Sequence, residues 1–181
     1  MTSDLPELAG RGFLARGFAP ADEPALQRVL ESCADYYELV LGSPPRQAEA
    51  AAVSLDGPEE GADPAGKMLY GIWKPGGEEL IGVLDMFSDY PHAGAWYIGL
   101  LLLVPEVRKS GIGRSVVEAL IGVAQRSGAR ELQLNVVEQN AVGLRFWTSL
   151  GFSELRRWRQ RYGTKESTFI RMRRLKAGAD R

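Results

Sequence analysis

The chain has 181 residues, of which 45% are hydrophobic, and a net charge of −1. This size favours one domain over residues 1–181, and the balanced charge gives no reason to expect nucleic acid or a membrane surface as a partner. No apolar run approaches the roughly 20 residues that span a bilayer, and the N-terminus has no signal-like apolar core. Because the single cysteine, Cys33, cannot form an intramolecular disulfide, we expect a cytoplasmic protein.

The first third of the chain is predicted to be mainly helical. One strand is expected from Arg11 to Phe18, and Asp22 stands near the start of a helix from about 23 to 33. Short helices are expected from Asp35 to Val40 and from Gln47 to Val53. The remainder, up to residue 66, is rich in Gly and Pro, which indicates a loop.

Three strands are predicted next. Lys67 to Trp73 and Glu79 to Phe87 are joined by Pro75-Gly76-Gly77, a hairpin signal. Ala95 to Val104 follows the loop of residues 88–94 and ends in an apolar run that Pro105 closes.

The segment Arg108-Lys109-Ser110-Gly111-Ile112-Gly113 lies between that apolar run and an amphipathic helix that begins near Ile112. A glycine loop between a strand and a helix presents free backbone N–H groups at the positive end of the helix dipole. Such a site binds anions, most often phosphate. Gly111 and Gly113 would let a pyrophosphate approach the backbone with no Cβ in the way.

Two familiar phosphate loops do not fit this segment. A dinucleotide fingerprint requires a third glycine at position 116, where the chain has Val. A nucleotide P-loop requires Gly-Lys-Ser/Thr, but Gly113 is followed by Arg114 and Ser115. A tight strand-to-helix turn that binds no ligand is the alternative interpretation.

A second motif follows the helix. Glu131 to Val137 alternates apolar and polar residues, which predicts a strand. Asn140 then suits the N-cap of a short helix, and Gly151 suits its C-terminal end.

The two motifs resemble those of the GCN5-related N-acetyltransferases, the GNAT family, over about residues 98 to 152. The first is similar to Arg/Gln-x-x-Gly-x-Gly/Ala, the loop that binds the acyl-CoA pyrophosphate. The second is similar to Asn-x-x-Ala-x-x-x-Tyr-x-x-x-Gly-Phe. Asn140, Gly151 and Phe152 are in register with it, while Gly143 and Trp147 occupy the Ala and Tyr positions.

The resemblance implies an α/β fold with a mixed, mostly antiparallel sheet of about seven strands flanked by helices. Ser153 to Arg161 and Ser167 to Leu175 would be the closing pair of strands. In that fold the fourth and fifth strands splay apart, and the pantetheine arm of CoA lies in the gap. Ala95 to Val104 and Glu131 to Val137 would be those two strands.

The resemblance also implies a site for acetyl-CoA as co-substrate. Residues 101–103 would pair their backbone with pantetheine, the amides of residues 109–114 would hold the pyrophosphate, and nearby cationic side chains would add charge. The aromatic residues of the second motif would pack against the core or the acyl-CoA arm. The implied binding residues are Leu101, Leu102, Leu103, Arg108, Lys109, Ser110, Gly111, Ile112, Gly113, Arg114, Asn140, Phe146 and Trp147.

The two acid–base positions of the family hold other residues in this chain. In the family members that acetylate protein N-termini, a Glu five residues before the motif Asn acts as base, but this chain has Asn135 there. Much of the family uses a Tyr to protonate the leaving thiolate, and that position is Trp147, whose N–H is not a usable acid.

Asp85 and Tyr97 are the candidate catalytic residues. Asp85 is either a base or amine anchor or a solvent-facing strand residue, and Tyr97 is either a phenol in the cleft or a packed aromatic. His92 is expected to be an exposed loop residue. Three acids form either an amine-attracting cluster or a solvated helix face: Glu31, Asp35 and Glu38.

We therefore expect an acyl-CoA-dependent N-acetyltransferase that acts on a primary amine of a small molecule or peptide. Transfer is expected to be direct, in a ternary complex, since Cys33 lies far from both motifs in sequence. The alternative is a non-catalytic acyl-CoA-binding sensor or interaction module. No metal site is expected from one His and one Cys, and homodimers are frequent in the family.

Residues 156 to 176 contain nine Lys/Arg and one acid, Glu166. An RNA-associated module is one interpretation of this segment. We favour a pair of strands with a basic solvent face, so nucleic acid is not an expected partner.

Overall fold

A computed structural model describes residues 7–55 and 63–176 of the chain. The described strands form one sheet: β1 (Leu8–Gly10), β2 (Phe13–Gly17), β3 (Lys67–Trp73), β4 (Leu80–Ser88), β5 (Ala95–Leu103), β6 (Glu131–Val137), β7 (Ser153–Tyr162) and β8 (Lys165–Leu175). The described α-helices are α1 (Glu23–Ser32), α2 (Ala34–Val40), α3 (Glu49–Leu55), α4 (Ile112–Arg126) and α5 (Ala141–Ser149). The predicted loop over residues 56–62 lies outside the described residues.

The strand order is β1-β2-β3-β4-β5-β6-β8-β7, and β5 with β6 is its one parallel pair. This mixed, mostly antiparallel α/β sheet confirms the expected fold class, with eight strands in place of about seven. The strand predicted over Arg11 to Phe18 contains β2, but Arg11 and Gly12 form the turn that joins β2 to the unpredicted strand β1. Gly12, at φ 83°, allows a tight turn there, and β1 pairs back onto β2.

The helices cover the sheet on two faces. α1, α2 and α3 bury residues such as Leu26, Leu30 and Tyr37 against Val83 and Leu102. α4 and α5 pack on the opposite face, where the amphipathic helix α4 buries Val116, Val117, Leu120 and Ala124 and half-buries Ile121. None of the helices within residues 7–55 and 63–176 is long and apolar enough to cross a membrane.

The pairing of β5 with β6 ends halfway along β5. Its last pair is Ile98 with Leu134, and Gly99 is an extra residue, since Asp85 of β4 opposes Leu100 while Met86 opposes Ile98. Such a bulge bends a strand and ends its pairing. Residues 99–103 and 135–137 therefore diverge, and their facing edges pair with no other described strand, as the family resemblance implied.

Candidate functional site

The loop before α4 presents several backbone N–H groups that bind no acceptor in the described part of the chain. Gly111 has φ 90° and Lys109 has φ 61°. A positive φ is uncommon for a residue with a side chain, such as Lys109, and such residues cluster at functional sites. Within the described residues, no acceptor binds the amides of residues 109, 110, 111, 113 and 114, and Ile112 N is 3.5 Å from Ser110 Oγ. Apart from its chain neighbours, none of the residues that the structure describes has an atom within 4 Å of a Cβ placed on Gly111. The loop is thus open to an approaching anion.

Gly113 joins three of the segments that the sequence assigned to one site. A Cβ at this residue would lie 3.5 Å from Leu103 Cδ1 and 3.6 Å from the Phe146 ring. The start of α4, the end of β5 and the middle of α5 therefore meet at Gly113, beside the unpaired edge of β5.

Arg108 is directed away from the loop amides. Its Nε donates to the Leu103 carbonyl at 2.9 Å, and its two terminal nitrogens donate to the Asp35 carboxylate of α2, one of them at 3.1 Å. The Arg108 hydrogen bond lowers the pKa of Asp35 below its ordinary value although burial opposes that shift. The charge of Arg108 is thus paired with that of Asp35, and this ion pair links α2 to the loop.

The other two cations of the loop differ in their partners. Arg114 donates to Ser149 Oγ at 2.8 Å and lies 3.6 Å from the Glu118 carboxylate. Lys109 is exposed and forms no ion pair with any of the residues that the structure describes. Lys109 is therefore the loop cation best placed to meet an anionic ligand.

Cys33, although distant in sequence from both motifs, lies next to this site. It is fully buried, and its thiol donates to the Leu103 carbonyl at 3.4 Å. Burial raises the pKa of the thiol, despite the nearby Arg108. A neutral, buried thiol is a poor nucleophile, which is consistent with direct transfer.

Asn140 has the N-cap role that the sequence predicted. Its Oδ1 accepts a hydrogen bond from Gly143 N at 2.8 Å, and a Cβ at residue 143 would lie 2.7 Å from Asn140 Nδ2. Glycine in the family's Ala position therefore leaves room for the cap. Trp147 is buried in the core against Phe146 and Phe152, with ring centroids 4.9 and 5.2 Å away. Phe146, rather than Trp147, faces the loop.

Asp85 and Tyr97 lie on the α1–α3 face of the sheet, beside the bulge. Asp85 is 9% exposed and its carboxylate binds Lys67 Nζ at 2.9 Å, so the alternative of a solvent-facing strand residue is wrong. A Cβ on Gly99 would lie 3.1 Å from Asp85 Oδ2. Tyr97 is buried and its ring contacts Tyr90 at 5.4 Å between centroids, as expected of a packed aromatic.

A polar chain that sequence reasoning missed crosses the same face. Arg171 of β8, 4% exposed, donates to Asn135 Oδ1 at 2.6 Å and to Gln133 Oε1 at 3.3 Å. Gln133 in turn donates to Glu131, which lies 2.9 Å from Nε2 of the exposed His92. The available signal was an arginine between Ile170 and Met172 in a predicted strand. Asn135, in the family's base position, is therefore a hydrogen-bond acceptor for Arg171.

The acids of the first helices form an exposed face. Glu31 accepts from Gln27, and Asp35 binds Arg108. The turn between β7 and β8 contacts this region, because Thr164 N donates to the Leu41 carbonyl at 2.9 Å. This contact places the end of α2 beside the β7–β8 hairpin.

Comparison with known proteins agrees with this arrangement. The family model for the acetyltransferase (GNAT) family matches residues 28–152. N-alpha-acetyltransferase 30 of Schizosaccharomyces pombe is 32% identical over 98 residues, which cover 51% of this chain and 65%, slightly under two thirds, of that protein.

Solved structures show the same fold. A probable acetyltransferase of the GNAT family from Chromobacterium violaceum superposes with a TM-score of 0.81 at 18% identity, over 99% of this chain and 92% of that one. The ribosomal-protein-S18-alanine N-acetyltransferase of Escherichia coli gives 0.65 at 18% identity, over 90% and 93%. The fold is that of these acetyltransferase structures. The chain belongs to the GNAT family.

Proposed function

We propose that this protein transfers an acetyl group from acetyl-CoA to the primary amine of a small molecule or peptide. The observation that carries the proposal is the set of amides at residues 109, 110, 111, 113 and 114, which bind no acceptor among the described residues and lie beside the unpaired edge of β5. The amides could bind the pyrophosphate of acetyl-CoA, and the free strand edge could pair with its extended pantetheine arm.

The residues of the loop and of β5 fit acetyl-CoA, but the roles expected for Leu103 and Arg108 in binding it change. The Leu103 carbonyl is already engaged by Arg108 and Cys33, so the free edge nearer the bulge, residues 99–102, is left for pantetheine. Arg108 is paired with Asp35, so Lys109 and the loop amides supply the positive potential. Acetyl-CoA supplies an activated thioester when it is bound.

The reaction needs a neutral amine whose nitrogen forms a bond to the acetyl carbon while the C–S bond breaks. The amine gives up a proton, and the departing thiolate takes one. Asp85, with Lys67 beside it, has its carboxylate at the bulge and would hold the incoming amine or accept its proton. Tyr97 carries a phenol on the same face of the sheet and would donate a proton to the leaving thiolate. Asn135 has no acid–base role, since an amide does not titrate at neutral pH.

Calorimetric titration with acetyl-CoA, followed by a thiol-release assay over a panel of amines, tests the proposal. We expect acetyl-CoA binding and turnover of at least one amine. Binding without any turnover would instead support the acyl-CoA-binding sensor. An absence of binding would overturn the proposal. One domain over residues 1–181, a cytoplasmic location and a homodimer stay predictions.

A further inference from the structure

Two arginines face each other across the closing hairpin. Arg156 of β7 is directly opposite Arg171 of β8, so both side chains lie on the α1–α3 face of the sheet. Like charges directly opposite one another destabilise an antiparallel pair. Within the described ranges, no Asp or Glu forms an ion pair with either arginine. Among the residues that the structure describes, the pair therefore has no counter-charge of the kind that would make it a purely structural feature.

Aromatic rings hold both guanidinium groups in place. Trp158 lies two residues beyond Arg156, and its ring centroid is 5.0 Å from the Arg156 guanidinium and 5.8 Å from that of Arg171. Trp158 also stacks on Phe169 with centroids 5.7 Å apart, and Arg171 lies 5.1 Å from the Tyr97 ring. Stacking on aromatic faces orients a guanidinium without neutralising its charge.

The hydrogen bonds of Arg171 are equally incomplete. Its Nε and Nη1 donate to the neutral amide oxygens of Asn135 and Gln133, and its Nη2 has no acceptor among the residues that the structure describes. Glu131, the acid at the end of this chain of contacts, accepts a hydrogen bond from Gln133 and contacts His92 instead of Arg171. A buried cation needs an anionic partner to offset its desolvation, and a carboxylate matches the guanidinium fork.

The position of this pair points to the acceptor rather than to CoA. Asn135, the partner of Arg171, is the first residue of β6 beyond its pairing with β5, where the gap opens. Tyr97, which Arg171 contacts, precedes Leu103 by six residues, or about 20 Å of strand, so the pair is remote from the pyrophosphate loop. An anion bound here would belong to the molecule whose amine enters the gap.

We propose that Arg171 and Arg156 bind the carboxylate of the acceptor, which makes the substrate class amino acids with a free carboxylate. This inference depends on the proposed acetyl transfer for the amine, but the anion site itself does not. Arg171 is the buried half of the site, and Arg156 is its exposed half. The aromatic rings of Trp158, Phe169 and Tyr97 would contact the acceptor's apolar part.

The first test compares each amino acid with its carboxamide as acceptor in the thiol-release assay. We expect kcat/KM to favour the free acid by about tenfold to hundredfold, the range for a charge-assisted hydrogen bond to a buried group. Arg171→Gln and the exposed Arg156→Gln should each reduce this ratio, and Arg171→Lys should retain part of it. Arg159→Gln is the matched control, because Arg159 alternates to the opposite face and pairs with Glu166. A ratio near one in the wild type, or a ratio unchanged in both glutamine variants, would overturn the inference.

The second test requires no turnover. Binding of N-acetylphenylalanine and of its carboxamide is measured by calorimetry in the presence of CoA, with the wild type and Arg156→Gln. We expect the acid to bind about tenfold more tightly or better, and Arg156→Gln to lose that preference. Selective acid binding without acetyl transfer would contradict the proposed function and support the anion site. Equal binding of acid and amide would contradict the anion site.

Discussion

The ion pair between Lys67 and Asp85 allows the most quantitative prediction for the site. Breaking a fully buried pair costs about 3–5 kcal/mol, because the remaining charge loses its partner. The side chains of Lys67 and Asp85 keep 14% and 13% of their exposure, so water screens part of the loss. We therefore expect Asp85→Asn to lower the free energy of unfolding by about 2–3 kcal/mol, and Tm by roughly 4–12 °C.

A double-mutant cycle separates the pair from its surroundings. Lys67→Met keeps an apolar side chain over the Phe87 ring, where Lys67 Nζ now lies 4.9 Å from the centroid. Combined with Asp85→Asn, it removes both charges, so the double variant should recover about 1–3 kcal/mol relative to the sum of the single effects. Urea denaturation of the four proteins measures this coupling. Additive effects, or a cost of Asp85→Asn below about 0.5 kcal/mol, would refute the reasoning from burial.

The same four proteins test the role of Asp85 in the reaction. If Asp85 only stabilises the sheet, kcat should recover in the double variant along with stability. If Asp85 accepts the proton of the amine, kcat should stay about 10²-fold or more below the wild type, the range for a lost general base. We predict the second result, measured by thiol release under saturating acetyl-CoA.

Three further substitutions probe the elements that form the site. Asn140→Ala should lower the free energy of unfolding by about 1 kcal/mol through loss of the α5 cap, while Asn140→Ser retains it; equal stabilities in urea would contradict the cap. Gly111→Ala, at φ 90°, should cost about 1–2 kcal/mol and weaken acetyl-CoA binding, whereas Gly122→Ala within α4 should stabilise by about 0.5–1 kcal/mol and leave binding unchanged. Burial by itself would raise the pKa of Asp22, but the Arg16 and Ala19 hydrogen bonds lower it overall. The wild type should therefore exceed Asp22→Asn in stability above about pH 4 and lose that advantage as pH falls through the lowered pKa; an advantage that grows in acid would contradict this.

The local periodicity of apolar residues was sufficient to predict most helices and strands of the fold. The strand over Glu131 to Val137 and the start of α4 at Ile112 are confirmed, because both follow from periodicity within a few residues. The β1–β2 hairpin was missed because Gly12 was placed inside a strand instead of in a turn. A single glycine at positive φ decides between those two structures, and its φ depends on the pairing of β1 with β2.

The loop of the candidate site was predictable because its residues are contiguous, from Arg108 to Arg114. The opposite side of the site was not predictable, since its contacts join residues far apart in sequence. Arg171 reaches Asn135 across 36 positions, and Arg108 reaches Asp35 across 73. The residue types of a single sequence do not predict which distant positions come into contact. The basic segment 156–176 could therefore be described only by its composition, until the register placed Arg156 opposite Arg171.

Calorimetric titration of the wild-type protein with acetyl-CoA, in parallel with Gly113→Val, tests the central claim most directly. A larger side chain at Gly113 would extend from the point where α4, β5 and α5 meet. We predict binding to the wild type and a Kd at least about tenfold higher for Gly113→Val, with Gly122→Ala as an unaffected control. A wild type that does not bind acetyl-CoA, or a folded Gly113→Val variant that binds it equally well, would contradict the assignment of this loop.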